Sequence, residues 1–337
     1  MMKQSKKYKY DIIAVGGIVR DMFVVAPATI LPAKKIFGEK QNYLAYPYGD
    51  KIPVTEVHYD LGGEACNAAV GMSKCGLKVA FGAVIGNKVS REQATKVLKK
   101  YGINDRYVYN GTQQERGFSL VMVGPDGDRT IFVYREKNDY RKIDVEDMMK
   151  HSASMFVAGI DKSSDFLLPA IIDHMCCNGK SLYVNPSSYQ LRKKNRKKLH
   201  ELLQYTDIVC LNLIEAATLI GHNHTSLKHL LEQVKSLGPK IVVITLGNEG
   251  SVCFDGNSFY KAGIIKTKRV DSTGAGDCFF ATFIATYRKT GDIQMALRYA
   301  TINASYVVTG YGGQKPLLSW SQIVDKSKKL RLKVGKI

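Results

Sequence analysis

The chain has 337 residues and a formal net charge of +19, with 45% apolar and 23% charged residues. That composition excludes disordered, collagen-like and coiled-coil chains, and the length suits one large α/β domain with an appendage, or two domains. Sixteen basic residues lie in the acid-free stretches 3–9, 192–198 and 326–336, so the remaining body is nearly balanced and the charge reads as solvated surface and tails rather than a nucleic-acid footprint.

The first predicted element is a buried strand, Ile12–Val15, within Asp11-Ile-Ile-Ala-Val-Gly-Gly17. Continuous apolar runs of this kind belong to parallel sheets covered on both faces. The run is too short for a signal peptide, and a cytoplasmic location is expected. Residues 20–60 are rich in Pro, Gly and Tyr, lack helical periodicity and form a first insert. Ala65, Ala68, Ala69 and Met72 predict a helix over Gly63–Cys75. A strand at Val79–Ile85 and a helix at Arg91–Tyr101 follow. Residues 107–135 read as a second insert, with strands Gly117–Val123 and Arg129–Tyr134 about a Gly124-Pro-Asp-Gly127 turn.

Further on, strands Ser154–Ala158, Ser181–Asn185, Ile208–Leu211 and Lys240–Thr245 alternate with helices Leu167–Cys177, Lys194–Leu203, Leu227–Leu237 and Ala275–Arg288. Such alternation, with right-handed crossovers, gives an α/β fold with a doubly wound, mostly parallel central sheet flanked by helices. One domain is expected over 11–325, with basic tails at 1–10 and 326–337. The two inserts, about 20–60 and 107–135, are expected to pair as a small β-sheet lid. Seven cysteines without a CxxC read as reduced, mostly buried thiols. No apolar run approaches the ~20 residues of a membrane span.

The chemistry concentrates in Asp271-Ser-Thr-Gly-Ala-Gly-Asp277, which leads into an apolar helix. A glycine-rich turn at a helix N-terminus presents backbone N–H groups and a positive dipole end to an anion. Asp277 in the first turn is a candidate base toward a hydroxyl beside that anion; a helix-capping role is the plainer alternative. Other motifs fail. No phosphate-binding loop ends in Lys-Ser, because His174 stands where its first Gly would be, and no HExxH occurs. His222 and His224 read as a polar turn.

The Asp271–Asp277 segment resembles the C-terminal signature of the ribokinase-like, or pfkB, carbohydrate kinases. Gly62-Gly63-Glu-Ala-Cys-Asn67 resembles their other signature. Gly16-Gly17-Ile-Val-Arg-Asp21, Asn212-Leu-Ile-Glu215 and Val243-Ile-Thr-Leu-Gly-Asn-Glu-Gly250 resemble further family segments, in family order. The resemblance implies a kinase using ATP and Mg2+. Asp277 would be the base and Gly274, Ala275 and Gly276 the anion hole. Asp21, Gly62, Gly63 and Asn67 would hold a sugar. Asn212 and Glu215 would organise Mg2+, and Thr245, Gly247 and Gly250 would border ATP. Asp271 and Thr273 match positions that hold a monovalent cation, K+, in some members. Arg129 is a candidate for reaching substrate or phosphates. Asn87 stands where the family often has an acidic residue, and Gly310-Tyr-Gly-Gly-Gln-Lys-Pro316 departs from the usual loop. Family members often dimerise through the lid, so a homodimer is expected. The alternatives are a nucleoside kinase of the same fold, with Glu64 and Tyr43, Tyr46 and Tyr48 as specificity candidates, and a non-catalytic or nucleic-acid-associated relative.

Overall fold

The apolar runs become interior strands of one ten-stranded sheet in the computed structural model, which describes residues 8–32, 42–111, 117–135, 138–221 and 226–337. The start of the N-terminal basic stretch, the middle of the first insert and the His222–His224 turn lie outside the described residues. In chain order the strands are β1 (Ile12–Val15), β2 (Val19–Val25), β3 (Thr29–Pro32), β4 (Asn42–Ala45), β5 (Glu56–Gly62), β6 (Val79–Ile85), β7 (Asn104–Asn110) and β8 (Phe118–Val123). They continue with β9 (Arg129–Tyr134), β10 (Ser154–Ala158), β11 (Ser181–Asn185), β12 (Ile208–Asn212), β13 (Ile241–Thr245), β14 (Ser251–Phe254), β15 (Phe259–Ala262) and β16 (Val334–Lys336). The helices are α1 (Glu64–Lys74), α2 (Lys88–Lys100), α3 (Val145–His151), α4 (Leu167–Asn178), α5 (Ser188–Leu191) and α6 (Arg196–Leu203). After them come α7 (Leu213–Ile220), α8 (Leu227–Ser236), α9 (Ala275–Thr290), α10 (Ile293–Val307) and α11 (Trp320–Lys329).

The central sheet runs β16-β15-β14-β13-β12-β11-β10-β1-β6-β7. It is parallel from β13 to β7 and antiparallel from β13 to β16. The short turn at 255–258, where Asp255 Oδ1 accepts from the N–H groups of Asn257 and Ser258, leaves β14 and β15 no room for a crossover. β1 is wholly buried because its alternate side chains enter two cores. Ile12 and Ala14 pack with α1 and α9, whereas Ile13 and Val15 pack with Met148, Met155 and Leu168. Burying each Ile or Val stabilises by about 1.5–3 kcal/mol relative to exposure.

The inserts do form a separate sheet, ordered β5-β2-β8-β9. β2 pairs antiparallel with β5 and parallel with β8, placing Asp21 opposite Asp60 and Ser119. β3 and β4 form a ribbon of their own. Two expectations need correction. The second insert begins later than residue 107, because Tyr107 and Val108 are buried and β7 pairs parallel with β6 in the central sheet. The segment 326–337 is no loose tail: it holds the last turn of α11 and β16, which closes the sheet edge against β15. Its lysines sit on an edge strand and a helix end, where charge is tolerated.

The described thiols agree with the sequence reading. Cys66, Cys75, Cys210, Cys253 and Cys278 are buried and Cys176 is exposed, and none of these six is in a disulfide. No helix among the described residues is long and apolar enough to cross a membrane.

Candidate active site

Gly274 caps the N-terminus of α9 with φ 76°, a left-handed conformation that suits glycine. An added Cβ there would lie 2.5 Å from the Cα of Gly313. The turn before it is shaped by Asp271, which is fully buried. Asp271 Oδ1 accepts from the N–H and hydroxyl of Thr273 at 3.0 and 2.7 Å, and Oδ2 accepts from the N–H of Gly312 at 3.1 Å. Gly276 and Asp277 follow in the first turn of α9, where a backbone N–H has no intrahelical carbonyl to meet. These residues line a cleft of about 1190 Å³ between the lid and the C-terminal ends of the central strands.

Asp277 is half-buried, and its Oδ2 accepts from Asn67 Nδ2 at 3.0 Å. Burial pushes its carboxyl up to about 7 from an ordinary 3.8, and the charges of Glu64 and Glu215 add to that rise. The Asn67 bond and the Arg129 guanidinium oppose it. Burial likewise raises Glu64, against the Arg135 charge and a bond from the Gly159 N–H. Burial raises Glu215 as well, with Glu64 adding to it.

Asp21, Gly63, Asn67, Thr273, Gly274, Ala275, Gly276 and Asp277 all line the cleft, as do Asn212, Glu215, Thr245, Gly247 and Gly250. Two expected residues do not. Asp271 works from behind the wall. Gly62 stands opposite Val19 on β5, and an added Cβ would lie 1.8 Å from Asp21 Oδ2, so its smallness makes room for that carboxylate. Asn212 and Glu215 also have a local role as a capping box on α7. The Asn212 N–H donates to Glu215 Oε2 and the Glu215 N–H to Asn212 Oδ1, both at 2.8 Å. β1, from which the chain enters β2 and Asp21, stands four strands from β13 and Thr245 in the sheet. At ~4.8 Å per strand the two ends are about 19 Å apart, room for two substrates end to end.

The four-stranded sheet reaches the turn before α9 directly. Arg129 Nη1 donates to Ser272 Oγ at 2.5 Å, and Arg269 donates to the Asp126 carbonyl at 2.9 and 3.2 Å. Arg129, Ile131, Val133 and Arg135 line the cleft with a strand's period of two. That alternation was available in the sequence and could have singled out Arg135. Gln314, which donates to Asn67 Oδ1 at 3.1 Å, had no such signal. Tyr43, Tyr46 and Tyr48 do not line the cleft, and Asn87 caps α2 by accepting from the Ser90 N–H at 2.9 Å.

With this geometry in place, the family described as pfkB family carbohydrate kinase matches residues 36–320. The chain belongs to that family. As a pfkB kinase it is a phosphotransferase acting on a hydroxyl group, of the sugar or nucleoside kinases. It is similar to a nucleoside kinase of Methanocaldococcus jannaschii, 24% identical over 287 residues, covering 84% of this chain and 89% of that one. It is 26% identical to the ribokinase of Staphylococcus aureus over 281 residues, covering 80% and 90%. Its fold matches that of a putative ribokinase II from E. coli in complex with ATP and Mg2+, with a TM-score of 0.75, 19% identity and 95% and 100% coverage. The doubly wound architecture with its small additional sheet is thus the ribokinase fold.

Proposed function

We propose that this kinase transfers the γ-phosphoryl of ATP to a hydroxyl of a sugar or sugar-like molecule, with Asp277 as base. The observation that carries the reading is the Asp277 carboxyl, pushed up to about 7, one residue after the open N–H of Gly276 at the start of α9. A base titrating near neutrality is matched to taking a hydroxyl proton, and backbone donors suit the charge on a transferring phosphoryl. Asp277 takes the proton, the freed oxygen bonds to the γ-phosphorus, and the bond to the bridging oxygen breaks to release ADP. Gly274, Ala275 and Gly276 form the anion hole.

Asp21, Gly63 and Asn67 hold the acceptor's hydroxyls, with Gly62 making room for Asp21. Thr245, Gly247 and Gly250 border the nucleotide. Mg2+ fits this wall: burial raises all three carboxyls, the charges of Glu64 and Glu215 add to the rise at Asp277, that of Glu64 adds to the rise at Glu215, and Glu64 Oε2 is a buried oxygen without a hydrogen-bond partner among the described residues. Glu215 and Asn212 would hold it with the phosphates, where it supplies charge neutralisation. Asp271 is buried with no ion pair among the described residues, which supports a monovalent cation beside it and Thr273.

A second reading, a nucleoside kinase, is favoured by the apolar lid wall of Val121, Ile131 and Val133, which suits the face of a base. The test is ATP consumption with D-ribose, 2-deoxy-D-ribose, hexoses, adenosine and inosine. Asp277→Asn should lower turnover by about 10²–10⁴-fold with ATP binding retained. Unchanged turnover in that variant would sink the mechanism.

A further inference from the structure

Gln314 is 1% exposed, in the 310–316 loop. Its Nε2 donates to the carbonyl of Leu61 and to Asn67 Oδ1 at 3.1 Å, with Cys66 Sγ 3.5 Å away. A carbonyl only accepts, so the Gln314 atom facing Leu61 must carry hydrogens. The Asn67 atom facing that donor must then be oxygen. Asn67 is left to present Nδ2 to Asp277 Oδ2, at 3.0 Å. The direction of every bond in this relay is therefore set at its far end, by a backbone carbonyl of lid strand β5. Gln314 Oε1 is buried without a partner among the described residues. An apolar side chain of equal length would avoid that penalty, so the amide is retained for its donor.

The rest of the loop touches the same parts. Tyr311 stacks on His58 of β5 with ring centroids 4.2 Å apart, and Lys315 Nζ lies 3.9 Å from Asp60 Oδ2. Gly313 packs so closely that an added Cβ would lie 2.9 Å from Asn67 Nδ2. We propose that Gln314 is a positioning residue for phosphoryl transfer: through Asn67 it ties lid strand β5 to the orientation of the Asp277 carboxylate. The proposal rests on the reading of Asp277 as base.

Glu64 of α1, Glu215 of α7 and Arg129 of β9 also act on Asp277. A double-mutant cycle separates Gln314 from them. Turnover is measured for Gln314→Met, Asn67→Ala and the double variant, with ATP and whichever of D-ribose, 2-deoxy-D-ribose or adenosine is used fastest. Gln314→Met should lower kcat about tenfold, the loss of a bond to a charged group, with KM for ATP little changed. The double variant should be no slower than Asn67→Ala alone. The acid limb of the kcat–pH profile should move upward in Gln314→Met, because losing the Asn67 bond favours protonated Asp277. Additive losses, or an unmoved acid limb, overturn the proposal.

Gln314→Glu is nearly isosteric and gives a second arm if the Met variant does not fold. Its carboxylate cannot donate to Leu61 and turns the Asn67 amide round, so it should be slower than Asn67→Ala; equal or faster turnover counts against the relay. Full activity in Asp277→Asn would instead remove the underlying reading of the base. Loss in that variant with an additive cycle removes only the role of Gln314.

Discussion

Burial pushes the Asp277 carboxyl up to about 7, and the charges of Glu64 and Glu215 add to the rise. With Asp277 as the proposed base, the acid limb of kcat/KM for the free enzyme is expected near pH 7, with activity falling below it as Asp277 is protonated. The sign for stability runs the other way. The folded value lies above the unfolded 3.8, so the stabilisation is complete below about pH 4 and is lost as pH rises through about 7. Asp277→Asn should therefore melt higher than the wild type at pH 8, with little difference at pH 4. A thermal melting series in both proteins checks this, and equal melting at pH 8 contradicts it. Asp277 was legible as a candidate base because its neighbours are distinctive: two glycines and a small-residue turn before an apolar helix. Gln314 was not legible, since one amide in an irregular loop carries no periodicity. Its partners Leu61 and Asn67 lie about 250 residues away along the chain.

Elements repeat the lesson at a larger scale. Asn212 and Glu215 matched a metal-organising motif, yet the pair also caps the start of α7 as a capping box. Asn212→Ala should lower stability by about 1 kcal/mol even without nucleotide. Melting of the ligand-free variant reads this, and an unchanged midpoint would show that the cap contributes nothing. Interior parallel strands were legible because burial on both faces demands unbroken apolar runs, as in β6 and β13. β14, β15 and β16 were not, being three or four residues long, with β16 drawn from a lysine-rich stretch. The α10 pattern was obscured because Ala296, Leu297, Tyr299, Ala300, Thr301, Ile302 and Asn303 are all buried, leaving little contrast between faces.

At the scale of the molecule, one face of the four-stranded sheet exposes Val57 and Tyr59 on β5 and Phe118, Phe132 and Tyr134 on β8 and β9, with β2 between the two groups. We propose that these exposed apolar side chains are what a second copy would cover in the homodimer expected from the family resemblance. Phe132→Glu should shift the mass measured by light scattering from dimer to monomer; a wild type that is monomeric at working concentration ends the idea. The lid's attachment was the part least legible, because Arg129–Ser272 and Arg269–Asp126 join segments some 143 residues apart.

The position of β1 has a consequence for how the chain is made. It leaves the ribosome before both of its neighbours, β6 and β10, and Ile13 meets Met155 only after about 140 further residues. At ~5–20 residues per second that is roughly 7–28 seconds of translation. Through that interval Ile12–Val15 has one neighbour at most. Nascent chains of this kinase therefore offer chaperones a short sticky segment, which is covered only when the second half of the sheet arrives.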